Sequence, residues 1–132
     1  MRLPGRLAAS LLSAAIGWAA GNAVTSSLIL LDSPTFDWTN WARATGYICL
    51  AAWALAGLPL ALSGVRFPAG PARAKAILFA GLLAAAVMAI FFGPAALASL
   101  EGRILLYIVS GQALATAGIA MLSYCLLTAS PR

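Results

Sequence analysis

The chain of 132 residues contains no histidine, two cysteines and three acidic residues. Without an imidazole it has no histidine ligand for haem or zinc and no side chain that ordinarily titrates near neutral pH. The three carboxylates, Asp32, Asp37 and Glu101, all fall outside the long apolar runs, so no pair of them sits in a buried setting suited to acid–base work. A glycine-rich phosphate loop, a nucleophile elbow and a metal-ligand spacing are also missing. The residues therefore predict a protein that is not an enzyme, with no catalytic, cofactor-binding or metal-binding residue and no cofactor.

Charge is scarce as well. Charged residues make up 8% of the chain and apolar residues 63%, against about 25% and roughly 45–50% in a soluble domain. A chain this small has too little mass to cover so much apolar surface from water, so the composition predicts an integral membrane protein. Apolar runs bounded by charge span 7–31, 45–64, 76–97 and 104–129. At 1.5 Å per helical residue each is long enough to cross a hydrocarbon core of about 30 Å. Barrel strands would alternate polar and apolar residues, whereas 80–92 is apolar without interruption. The expected fold is all-α: one transmembrane domain over 1–132, a four-helix up-down bundle with short connections. Arg2 and Arg6 followed by 7–20 also fit a signal peptide with small residues at 19–23, but the apolar run continues past them to Leu31.

The basic residues orient the chain. Arg2, Arg6, Arg66, Arg73, Lys75 and Arg132 fall on one side of the four runs, and Arg43, Arg103 and all three acidic residues fall on the other. The positive-inside rule then places both termini in the cytoplasm, in a multi-pass protein of the inner membrane of a bacterial cell. The net charge of +5 is read as this topological signal, so the expected partners are the lipid bilayer and either another membrane protein or a second copy, and no nucleic acid.

Several features stand out within this frame. Small residues recur every fourth position at Ala9, Ser13, Gly17, Gly21 and Thr25, and again at Gly81, Ala85, Ala89 and Gly93. Such stripes let helices approach closely: first run against third within the bundle is the expected seam, with a homodimer or partner seam as the alternative. Asn22 and Gln112 are the only amides within the runs. They fall at similar depth, so an intramembrane polar cluster of Asn22, Thr25, Gln112 and Thr116 is expected, with Ser26 nearby. Trp18 and Trp53 fall near the membrane midplane, where they suit space-filling rings or an apolar ligand slot, and the Trp18 indole N–H is able to reach an oxygen acceptor on a neighbouring helix. The segment 32–43 carries Phe36, Trp38 and Trp41 on a loop that suits an interfacial anchor or a docking surface. Pro59 is a candidate hinge inside the second run, and Pro94 is expected to mark fraying of the third. Cys49 and Cys125 fall near opposite ends of the fold and are expected to stay unpaired. At an offset of sixty, Arg43, Tyr47 and Ile48 match Arg103, Tyr107 and Ile108.

Two functional readings follow. The first is a non-catalytic accessory or assembly subunit that packs against other membrane components. The second is a small homo-oligomeric transporter, flippase or channel for a small solute or lipid, with the polar cluster lining its path.

Overall fold

A computed structural model describes residues 2–29 and 37–129. Every regular element among them is helical: α1 (Leu3–Ile29), α2 (Trp38–Ala52), α3 (Leu58–Ser63), α4 (Pro71–Ala98) and α5 (Leu100–Leu127), with one π-helical turn, Trp53–Gly57, joining α2 to α3. Four segments, Leu3–Ser27, Trp38–Ser63, Pro71–Ala98 and Leu100–Leu127, are long and apolar enough to cross a membrane.

The spans start earlier than the apolar runs because local chemistry begins the helices in polar sequence. Pro4 sits in the first turn of α1, where its missing N–H is harmless, and Arg6 N donates to Arg2 O at 3.0 Å. Asp37 caps α2 by accepting from Asn40 N at 3.2 Å and from Asn40 Nδ2 at 2.7 Å. Trp38 and Trp41 therefore lie on a helix and not on a loop, while Phe36 falls outside the described residues. Pro71 opens α4 after Gly70, whose φ of 115° suits glycine alone.

The connection expected over 98–103 shrinks to Ser99. Its extended backbone ends α4 and its hydroxyl caps α5 by accepting from Gly102 N at 3.0 Å, with Glu101 at the positive end of the helix dipole. A Cβ at Gly102 would overlap the Ala95 carbonyl, so glycine lets the two helix ends touch. Arg103 Nε adds a bond to Ala96 O at 3.1 Å. This clasp explains why α4 runs on to Ala98 with Pro94 inside it and does not fray there: neighbouring contacts hold the turn that proline weakens.

Before Pro59 the second span widens by one residue. Leu58 N–H bonds Trp53 O, a five-residue step, in place of the four-residue α step. The span ends at Gly64, which adopts the left-handed φ of 71°.

The spans pack in the order third, fourth, first, second. α5 lies between α4 and α1, and α1 lies between α5 and the α2–α3 span; among the described residues no Cα pair within 8 Å joins α1 to α4. The expected seam between first and third runs is therefore absent; the stripe of α1, and Gly81 of the α4 stripe, turn toward α5 instead. Gly81 is buried, with its missing Cβ 3.3 Å from Leu114 O. Among the less exposed positions of α4, Gly81, Ala84, Ala85, Met88, Phe92 and Ala96 are spaced by threes and fours. A strict step of four therefore runs off the seam, leaving Ala89 exposed and Gly93 in open space. The sixty-residue repeat places Tyr47 and Tyr107 alike on the surface, yet it joins a central helix to a peripheral one.

Candidate functional site

α1 carries two faces, each written as a step of four. The first, Ala9, Ser13, Gly17, Gly21 and Thr25, is buried throughout and meets α5. A Cβ at Gly17 would overlap Thr116 O and lie 2.8 Å from Ala120 Cβ, and one at Gly21 would overlap Thr116 Oγ1 and lie 3.2 Å from Gln112 Cγ. Thr25 Oγ1 donates to Gln112 Oε1 at 2.5 Å. Each step of four along α1 is thus met by a step of four in the opposite direction along α5, through Gln112, Thr116 and Ala120. Continued by the same step, this register sets Ser13 opposite Tyr124. Both are almost wholly buried, at 2% and 4% exposure, and neither Ser13 Oγ nor the Tyr124 hydroxyl has a hydrogen-bond partner among the described residues.

The second face, Arg6, Ser10, Ala14, Trp18 and Asn22, meets the α2–α3 span. Arg6 Nε donates to Ala61 O at 2.8 Å, placing a cation at the carbonyl end of α3 where the dipole favours it. Trp53 Nε1 donates to Ser10 Oγ at 2.9 Å. Trp18 Nε1 donates to Ala42 O and Thr45 Oγ1, each at 3.1 Å, and Asn22 Nδ2 donates to Trp18 O at 2.9 Å and Thr45 Oγ1 at 3.2 Å. Both indoles of the runs thus reach oxygen acceptors on a neighbouring helix.

The two faces converge at the end of α1 nearer Asp37. Trp41, on the first turns of α2, donates its indole N–H to Gln112 Oε1 at 2.9 Å, so that the Gln112 carbonyl accepts from α1 and α2 while standing on α5. Thr25, Gln112 and Thr116 come together as expected. Asn22 does not join them through Gln112: it stands on the other face of α1, bonded to Thr45, and its buried Oδ1 has no partner among the described residues. Ser26 turns back to its own helix, donating to Ala23 O at 2.9 Å. Trp41 is half-buried in this network and Trp38 half-buried beside it, while Pro59 is exposed on the α3 side of the π-helical turn.

Thr45, Ser10 and Tyr124 were not singled out by sequence. Ser10 had a readable signal, since it stands midway along a step of four from Arg6 to Trp18. Thr45 had none: its importance depends on the α1–α2 pairing, where its hydroxyl accepts twice and donates to Trp41 O at 2.9 Å.

The cluster is made of neutral donors and acceptors, and its chemistry is to hold three spans at fixed rotation. Cys49 and Cys125 are both free thiols, and among the described residues no group of three histidine, cysteine or carboxylate side chains comes together to hold a metal ion. No family model matches the chain, and no curated protein or solved structure matches it either.

Proposed function

We propose that this is a non-catalytic multi-pass membrane protein that works by packing against other membrane components, as an accessory or assembly subunit. The observation that carries this reading is the use made of the polar side chains. Trp18, Asn22, Thr25, Trp41, Thr45 and Gln112 bond one another or backbone across helix contacts, so they serve as interhelical glue. Large side chains such as Leu55, Ile90, Phe91 and Leu97 face outward at 73–88% exposure, which suits a surface solvated by lipid or by another membrane protein. An up-down topology with both termini in the cytoplasm of a bacterial cell accompanies this reading. It is supported by the gathering of Arg6 with Arg66 of the α3–α4 connection and with Arg73 and Lys75 of the first turns of α4, at the end opposite Asp37 and Glu101.

Gentle extraction of the tagged protein from its native membrane, followed by mass measurement of the complex, tests the proposal. A second protein at fixed stoichiometry is the expected result, and a pure homo-oligomer that moves solutes in vesicles would overturn it. That outcome would favour the second reading, a homo-oligomeric transporter, flippase or channel for a small solute or lipid.

A further inference from the structure

α2 packs along one side. Its half-buried positions, Trp41, Ala42, Thr45, Gly46 and Cys49, turn inward, and two rungs, the Trp18–Thr45 bond and the Trp53–Ser10 bond, tie the span to α1. Arg43, Ala44, Tyr47 and Ile48 turn the other way and are exposed, Tyr47 at 68%. This outer face carries a motif that helix packing leaves unused: an arginine and a tyrosine one turn apart, repeated on α5 as Arg103 and Tyr107. The two copies differ. Arg103 Nε is spent on Ala96 O, whereas Arg43 makes no hydrogen bond or ion pair among the described residues. The carboxylate nearest to it in the described sequence, Asp37, is engaged through both oxygens by Asn40.

We propose that Arg43 and Tyr47 hold the phosphodiester of one phospholipid in the leaflet on the Asp37 side. Depth is the first argument. The span Trp38–Ser63 has 26 residues, so at 1.5 Å per residue it projects about 4–5 Å beyond each side of a hydrocarbon core of about 30 Å. The Arg43 backbone then lies about 3 Å inside the core boundary and the Tyr47 backbone about 9 Å inside it. Side chains on a helix lean toward its N-terminus, which in α2 is the Asp37 end. Both side chains are therefore directed outward, toward the level at which phosphates lie.

Charge complementarity is the second. A lipid-facing guanidinium at this depth is costly unless an anion meets it, and the anion that a neighbouring phospholipid brings to the core boundary is its phosphate. The planar fork of arginine matches two phosphate oxygens, and the phenol O–H supplies a further donor from the adjacent turn. An uncharged sugar headgroup offers the guanidinium no counter-charge, and dissolved phosphate would have to leave water to reach a face solvated by lipid. The inference requires only that the chain spans a membrane, and it stands whether the chain is an assembly subunit or a transporter and whichever way it is oriented.

The test uses the full chain with a benzophenone amino acid in place of Ala44, beside Arg43, in vesicles of equal parts phosphatidylglycerol and monogalactosyldiacylglycerol with matched acyl chains. Irradiation cross-links the lipid at that position, and mass spectrometry counts the two adducts. The phosphatidylglycerol adduct should exceed the galactolipid adduct by on the order of five- to tenfold, the weight of one basic side chain and one hydrogen bond. Arg43→Gln should bring the ratio close to one, while Arg2→Gln, which removes the same charge at the other end of the fold, should leave it unchanged. A ratio near one in the parent chain, a ratio that survives Arg43→Gln, or an equal fall in Arg2→Gln overturns the proposal. Loss of the preference on adding inorganic phosphate at millimolar excess would assign the pair to a dissolved ion and overturn the lipid assignment. Should Arg43→Gln not fold, Tyr47→Phe decides: the ratio should fall about two- to threefold, and an unchanged ratio overturns the site.

Discussion

Trp41 and Gln112, seventy-one positions apart, share a 2.9 Å hydrogen bond in which the indole N–H of one span meets the side-chain carbonyl of another. Because Thr25 donates to the same oxygen, one amide ties three of the four spans together. Interhelical bonds in membranes average only about 0.6 kcal/mol, so the importance of this amide lies in fixing helix rotation as much as in stability.

Replacing Gln112 with leucine leaves the Trp41 indole without this acceptor and Thr25 with only its own helix, where it already donates to Gly21 O at 3.1 Å. The expected loss is about 1–2 kcal/mol, two average bonds plus part of the cost of an unpaired donor. Reversible unfolding in mixed micelles measures it, and a loss below about 0.3 kcal/mol would show that the bonds contribute nothing net.

Gly17 and Gly21 differ in what a methyl group meets. At Gly17 the obstacle is the Thr116 backbone carbonyl, which cannot move without shifting α5; at Gly21 the nearest obstacle is the Thr116 hydroxyl, which can rotate or be removed. Gly17→Ala should therefore cost more, in the range of about 1–3 kcal/mol for overpacking. Thr116→Ala should partly rescue Gly21→Ala and leave Gly17→Ala unrescued. Gly118→Ala serves as a control, since a Cβ there meets open space and should be neutral or stabilising by up to about 1 kcal/mol through helix propensity.

The rungs between α1 and α2 are testable as pairs. Trp53→Phe and Ser10→Ala each remove one partner of a 2.9 Å bond, so a double-mutant cycle should return a coupling of about 0.5–1.5 kcal/mol. Trp53→Phe with Thr45→Ala, which belong to different rungs, should be additive within about 0.5 kcal/mol. Coupling of the same size in both cycles would mean that the rungs do not act separately.

Topology has its own test. Reporter enzymes that are active only outside the cytoplasm, fused after Ser63 and after Ser99, should be silent at the first position and active at the second. The opposite pattern would invert the proposed orientation while leaving every helix contact in place.

Much of the helical layout was legible from composition and periodicity. Long uncharged runs can satisfy their backbone in lipid only as helices or closed barrels, and an apolar run without alternation leaves helices. The boundaries were less legible, because Asp37, Pro4 and Ser99 act through single caps and first turns that average hydropathy does not register. Of the site, the buried step of four through Gly17 and Gly21 was visible as small residues, and the seam on which it lies is real.

Its partner was not visible. A stripe of small residues states that something approaches closely but not what approaches, so the first span was matched to the third when α5 in fact receives it through Thr116 and Ala120. Asn22 and Gln112 are expected at similar depth, yet helix rotation turns Asn22 to the face of α1 that meets α2, away from the face that meets Gln112 of α5, and rotation is set by the sum of contacts along three helices. By itself the sequence determined an all-helical chain with four spans, since that follows from the solvent its apolar mass requires. Only the tertiary structure decided which faces meet, because packing order and rotation depend on side chains such as Trp41, Thr45 and Gln112 that are brought together from distant parts of the chain.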